Sequence, residues 1–365
     1  MRHSWDWSKE ISGCGLAGLI SRQGRKISGE VPIRAIANLH DRGNGLGGGF
    51  AGYGIYPAYA DQYALHTMYY SDQAQDLTED LLRGHFSIAH SEVIPTRPTE
   101  GIGDAPNLWR YFATPRSTRS ETENEADMVM AAVMRVNDEI DGAYIFSSGK
   151  NMGAFKAVGF AEDVGRFYRL DEYEGYIWTA HGRFPTNTQA WWGGAHPFCL
   201  LDYSVVHNGE ISSYGINRRY LEQFGYKCTL QTDTEVMVYL LDLLIRRHGL
   251  SIEMACRVIA PPFWKTIDRP DMDPEEARLL EALRITYAPA TVNGPFAILF
   301  GHSRGLVGFN DRIKLRPMVA AEKDDMLYIS SEEAAIHIMC ESPDRVWTPQ
   351  AGHPVIGWLD ESVTG

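Results

Sequence analysis

The chain has 365 residues, with 44% hydrophobic and 22% charged residues, the balance of a globular protein that can bury a sizeable core in one large or two ordinary domains. Its net charge of −13 excludes a sequence-nonspecific nucleic-acid binder, which needs a basic face to displace counterions, and argues against docking on an anionic membrane. Five cysteines, an odd number with no CxxC pair, give neither a disulfide framework nor a zinc site and suit a reducing cytoplasm.

No apolar run approaches the ~18 residues that span a bilayer. The opening MRHSWDWSKEISG lacks the apolar stretch of a secretory signal. The first predicted element is CGLAGLI at 14–20, a buried strand that begins directly at a cysteine. Ile33, Ile36, Ala37 and His40 then fall at helical spacing, with Pro32 suited to a first turn. GNGLGGGFAGYG at 43–54 holds seven glycines, its first part GNGLGG at 43–48 reads as a loop that lets backbone approach another element closely, and YALHTMYY at 63–70 reads as a strand. Residues 96–124, rich in Pro, Thr, Arg, Ser and Glu, read as an irregular excursion before a helix at 125–138. From residue 143 strands are dense: AYIFSS, GAFKAVGF, EGYIWTAHG and DYSVVHNG. A helix follows, with Thr232 and Glu235 placed as a capping box, an apolar stripe from Val236 to Leu244, and Arg246, Arg247, His248 and Gly249 closing it. Asp273-Pro274-Glu275-Glu276 opens a second capped helix, and FAILFGH, GLVGFN, MLYISS and PVIGWLD are further strands. Strands interleaved with long helices predict layered sheets covered by helices.

GNGLGG at 43–48 matches GxGxxG, but a dinucleotide fingerprint needs a strand before it and a helix after it, and here a helical pattern precedes. Cys14 alone reads as a buried strand cysteine. Two distant segments change that reading. One is His181-Gly182-Arg183-Phe184-Pro185-Thr186-Asn187, followed by Ala195-His196-Pro197-Phe198; the other is His207-Asn208-Gly209-Glu210-Ile211, followed by Thr232-Asp233-Thr234-Glu235. Each sets polar residues at the end of an apolar strand, where a core strand gains nothing unless that end faces a site.

These segments, in this order, resemble the class II glutamine amidotransferases: an N-terminal CGL, an HRG element present as His40-Asp41-Arg42-Gly43, an HTRWPT-like element, HNGEI and TDTE. Asn293-Gly294-Pro295-Phe296-Ala297, Asp311-Arg312 with Leu315-Arg316-Pro317, and Ser330-Ser331-Glu332 resemble the glutamate-synthase branch. The resemblance covers 14–54 and about 143–360. Departures are Gly182 and Phe184 in the HTRW element, the inserted Asp41, and Ser213 where asparagine is usual.

The resemblance implies an α+β, four-layer αββα N-terminal-nucleophile hydrolase sandwich of two antiparallel sheets. It implies a leader at 1–13 that is removed, and a single amidotransferase domain at 14–360 with an elaboration at about 55–142. Cys14 would attack the glutamine amide, its freed α-amine acting as base, since a thiol of pKa about 8.5 is little ionised at neutral pH. The Asn208 amide and the Gly209 N–H would form the oxyanion hole. Arg183 would clamp the substrate α-carboxylate and Asp233 its α-ammonium, with Arg42 and Thr186 as further substrate-site residues. His181, His196 and His207 read as structural. No metal and no cofactor is expected in this chain. Because no acceptor site follows residue 360, ammonia is expected to pass to a synthase subunit carrying flavin and an iron–sulfur cluster. Two other readings stand beside this one: a non-hydrolytic structural or regulatory subunit that retains its leader, and a hydrolase of the same fold acting on another amide.

Overall fold

The computed structural model describes residues 13–116, 124–184 and 190–363. Two antiparallel sheets stack face to face. The first has seven strands, in the order Arg345–Trp347, Val319–Lys323, Met326–Ser330, Gly15–Ser21, Ile177–Gly182, Gly48–Tyr53 and Met152–Ala157. The second has five: Phe198–Leu200, Tyr203–Gly209, Phe296–His302, Gly305–Asn310 and Val355–Trp358.

The two-residue period of a strand decides what each side chain does here. In Gly15–Ser21, Leu16 and Ile20 point between the sheets, where they meet Val206, Leu299, Leu306 and Leu327. Ala17 and Leu19 point the other way, into a core shared with Ile33 and Ile36 of helix Glu30–Ala37. Gly18 lies where the sheets approach closely, since a Cβ there would sit 3.0 Å from Leu299 Cδ1. The helices Glu30–Ala37, Ala161–Phe167 and Glu333–Met339 cover the seven-stranded sheet. Asp233–Leu241, packed on the strands Phe198–Leu200 and Tyr203–Gly209, covers the five-stranded one, with Tyr214–Glu222 against it. This is the four-layer αββα sandwich that the resemblance implies.

Residues 55–142 supply most of a third sheet, of order Phe86–Val93, Asn107–Pro115, Tyr63–Tyr69 and Ala143–Ser147. Helices Asp72–His85 and Glu125–Glu139 pack on it through Ala74, Leu82, Val129 and Val133. Three expectations need correction. The 96–124 stretch contains the strand Asn107–Pro115, whose buried Leu108, Tyr111 and Phe112 alternate poorly enough to hide it. The glycine-rich loop ends at Gly47 rather than Gly48, because Gly48–Tyr53 is a central strand; a Cβ at Gly49 would lie 2.2 Å from the carbonyl of His196, so glycine is there for close packing. The capping box is half formed: Thr232 Oγ1 accepts the Glu235 N–H at 3.4 Å, but the Glu235 carboxylate takes the N–H groups of Thr229 and Leu230 instead, at 3.0 and 2.9 Å. Among the described residues no helix is long and apolar enough to cross a membrane.

Candidate active site

Register brings the distant segments together. Gly15 pairs with Gly182, so the chain ends of two neighbouring strands place Cys14 beside Arg183 and Phe184. In the facing sheet Asn208 pairs with Ala297 and Gly209 with Phe296, at the same end of the sandwich. A cavity of about 200 Å³ opens there, lined by Cys14, Arg183, Phe184, Gly209 and Asp233, with His196, His207 and Thr234 in its wall.

The Phe184 N–H donates to Cys14 Sγ at 3.4 Å. Burial pushes the thiol above the usual cysteine range, and the Phe184 N–H together with the Arg183 and Arg316 charges recovers only part of that shift. A thiol in that setting needs a base before it can attack. Asn208 is 1% exposed, and its Nδ2 has no hydrogen-bond partner among the described residues. Buried amide donors are nearly always satisfied, so one left open next to Gly209 of the cavity lining needs a reason. Gly209 holds φ at +153°, and a Cβ on it would fall 1.9 Å from the carbonyl oxygen of Pro295. Only glycine fits this backbone conformation.

Arg183 is 6% exposed, its stem against Gly47 and its guanidinium against Gly194. Burial pulls its pKa below the usual value, while Cys14 and Asp233 act against that. Asp233 is the first residue of the helix that Thr232 caps, and it accepts the Ile211 N–H at 2.8 Å. Burial raises its pKa, but His207, Ile211 and Thr234 outweigh that and hold the carboxyl below the usual range. The cavity therefore has a cation, an anion and a thiol in its lining, with the open Nδ2 of Asn208 next in the chain to Gly209. That arrangement can hold a zwitterion and attack its far end.

The expected residues divide as follows. Cys14, Arg183, Gly209 and Asp233 line one cavity, and Asn208 lies buried next to Gly209. Arg42, expected on the substrate, is placed outside the cavity lining: its Nε donates to the Cys14 carbonyl at 3.3 Å and its guanidinium pairs with Glu332. Thr186 lies outside the described residues. The three histidines are closer to the site than their structural reading suggested. His181 Nε2 donates to the His207 carbonyl at 3.0 Å, while His196 Nε2 and His207 Nδ1 both meet Thr234 Oγ1, at 2.9 and 3.1 Å. Burial pushes His181 down to about 3 and His196 well below its usual value, so both are neutral: His181 holds the strand of His207, and His196 holds Thr234 of the TDTE segment. Thr234 was missed because a threonine at a helix start reads as a cap; here it faces inward and is fully buried.

The C-terminal motifs hold the nucleophile strand. Ser331 Oγ accepts the Leu16 N–H at 3.1 Å and Ser330 Oγ donates to the Leu16 carbonyl at 2.8 Å. Buried Asp311 accepts the N–H groups of Phe296 and Leu315 at 3.1 and 3.0 Å, tying the 311–317 turn to the second sheet. Among the described residues no group of three His, Cys, Asp or Glu side chains converges as metal ligands would.

The family model described as "Glutamine amidotransferases class-II" matches residues 104–348. An uncharacterized protein of Archaeoglobus fulgidus is 51% identical over 355 residues, covering 96% of this chain and 93% of that one. A Methanothermobacter thermautotrophicus protein provisionally named a glutamine amidotransferase is 25% identical over 337 residues, 91% of this chain and 95% of that one. The glutamine amidotransferase-like protein GlxB of Rhizobium meliloti is 27% identical over 208 residues, 56% of this chain and 59% of that one. Among solved structures, the glutamine phosphoribosylpyrophosphate amidotransferase of B. subtilis is 14% identical with a TM-score of 0.46, covering 94% of this chain and 47% of that chain, so the chain spans about half of it.

Proposed function

Because this chain belongs to the class II glutamine amidotransferases, we propose that it hydrolyses L-glutamine to L-glutamate and ammonia through a thioester on Cys14, and that a separate glutamate-synthase-like subunit takes up the ammonia. The observation that carries the chemistry is the open amide donor of buried Asn208, next in the chain to Gly209 in the lining of the cavity that Cys14 shares with Arg183 and Asp233. Glutamine would sit with its α-carboxylate on Arg183 and its α-ammonium on Asp233, which sends its side-chain amide toward the sulfur. The α-amine of Cys14, exposed once the Gly13–Cys14 bond is cut, would accept the thiol proton as sulfur bonds to the amide carbon. The oxyanion would rest on Asn208 Nδ2 and the Gly209 N–H. Collapse would break the C–N bond, the amine would return its proton, and ammonia would leave. Water, activated by the same amine, would then hydrolyse the thioester to glutamate.

The partner rests on the resemblance of the 293–297, 311–317 and 330–332 segments to the glutamate-synthase branch. Flavin and an iron–sulfur cluster would belong to that partner. A second reading, the non-hydrolytic subunit that keeps its leader, differs by one peptide bond, because an acylated Cys14 nitrogen has no lone pair to offer as a base. A glutaminase assay on protein of measured intact mass separates the two. Hydrolysis is expected only from protein lacking residues 1–13; protein of that mass with no glutaminase activity would overturn the proposal.

A further inference from the structure

Lys156, on the strand Met152–Ala157, is 0% exposed. Among the described residues its ammonium has one hydrogen-bond partner, the Gly193 carbonyl at 2.8 Å, and it faces the rings of Phe198 at 4.4 Å and Phe146 at 5.9 Å. Burying a charge without a counter-ion opposes folding, so the residue calls for a role that a leucine could not fill. The carbonyl it holds belongs to the turn Trp192–Gly194. That turn is the wall on which Arg183 rests: a Cβ on Gly194 would lie 3.4 Å from Arg183 Nη1, and one on Gly47, opposite, 3.2 Å from Arg183 Cδ. Contacts thus run from the buried ammonium through Gly193 and Gly194 to the guanidinium.

We propose that Lys156 is a positioning residue of the glutamine site, fixing the 192–194 turn against Arg183 and so setting the affinity for the substrate's α-carboxylate. This rests on the reading of Arg183 as the carboxylate clamp. The titratable groups around Lys156 come from four segments: Cys199 on the strand Phe198–Leu200, Glu235 on the helix over it, Arg183 after the strand Ile177–Gly182, and His196. Burial pulls Lys156 down to about 7; Cys199 and Glu235 act against this and Arg183 with it. Glu235 is itself pushed up to about 7 by burial. Near neutrality, then, loss of the Lys156 proton turns a charge-assisted bond to Gly193 into a neutral one of roughly half the strength and removes a positive charge from behind the carboxylate site. Glutamine affinity should fall as pH rises through about 7.

The test is calorimetric binding of L-glutamine to the Cys14→Ala protein, with the leader absent, at pH 6 and pH 8. The chemistry is then off, and the N-terminal amine titrates alike in parent and variant. Adding Lys156→Met, of similar length and without charge, should weaken binding about tenfold at pH 6 and flatten the pH dependence. The Tm at pH 6 should stay level or rise, because a buried charge has been replaced by an apolar group. Should that variant not fold, Lys156→Gln keeps a donor without the charge and should bind with a weaker pH dependence than the parent, the part due to Lys156 being lost. Parent-like affinity with the parent's pH profile in the folded variant would overturn the role of Lys156 alone. Absence of glutamine binding by the parent would overturn the reading of the cavity, and this proposal with it.

Discussion

Asn208→Ala separates chemistry from folding. In the folded chain the Asn208 side chain is 1% exposed and its Nδ2 donates to nothing among the described residues. Removing the amide therefore takes away a buried, unsatisfied donor, whose burial opposes folding by about 1–3 kcal/mol. It also leaves a small void, which destabilises by a comparable amount. The two terms oppose each other, so Tm should move by only a few degrees. The kinetic effect has no such offset. If the donor is open because it awaits an oxyanion, its loss should lower kcat by about 10²–10³, or roughly 2.7–4 kcal/mol, with little change in KM. Asn208→Asp, nearly the same shape but an acceptor, should be at least as inactive. Steady-state glutaminase assays with thermal melts on the same samples give both numbers. A kcat within threefold of wild type in a protein of unchanged Tm would refute the oxyanion reasoning, since the open donor would then have no catalytic use.

Three other outcomes are expected. Gly209→Ala should destabilise strongly or prevent folding, since its Cβ would fall 1.9 Å from the Pro295 carbonyl at a φ of +153°; a melt within a few degrees of wild type would contradict the backbone geometry. Arg183→Lys should raise KM for glutamine by tenfold or more with a smaller fall in kcat, because a point charge does not replace the planar fork, while propionamide, lacking both charges, should be a poor substrate for wild type. Asp233 has a lowered folded pKa, so its contribution to stability is complete above about pH 4, its unfolded range, and is lost as pH falls through the folded value. Asp233→Asn should therefore lose less Tm than wild type on acidification below pH 4; parallel acid melts would rule that out.

The site was legible in the sequence because its residues stand at strand ends, where the change from apolar to polar is abrupt. Cys14 opens Gly15–Ser21, Arg183 follows Ile177–Gly182, and Asn208 and Gly209 end Tyr203–Gly209. Strand pairing converts these three boundaries into one cavity, and no reading of a single segment supplies that step. Thr234 and Lys156 were not legible, because what matters is which way they face: a buried threonine at a helix start and a lysine within a strand carry no outward sign of inward placement. The motif of Arg42 marks proximity to Cys14, whose carbonyl its Nε reaches, while the cavity lining does not include it. Half of the third sheet was hidden: Tyr63–Tyr69 and Ala143–Ser147 read as strands, Phe86–Val93 and Asn107–Pro115 did not. Helix Asp72–His85 is polar over most of its length, with only Ala74, Thr78 and Leu82 buried along it, and Phe86–Val93 has one buried residue, so neither stood out as an element.

The central claim is that Cys14, carrying a free α-amine, is the nucleophile. Protein that turns over glutamine can be inactivated with an electrophilic glutamine analogue, digested, and the labelled peptide identified by mass spectrometry. The account predicts a single label on the Cys14 sulfur of a peptide that begins at Cys14, with Cys199, Cys228, Cys256 and Cys340 unmodified. A label on another cysteine, or full hydrolytic activity in protein that still carries Met1 through Gly13, would contradict it.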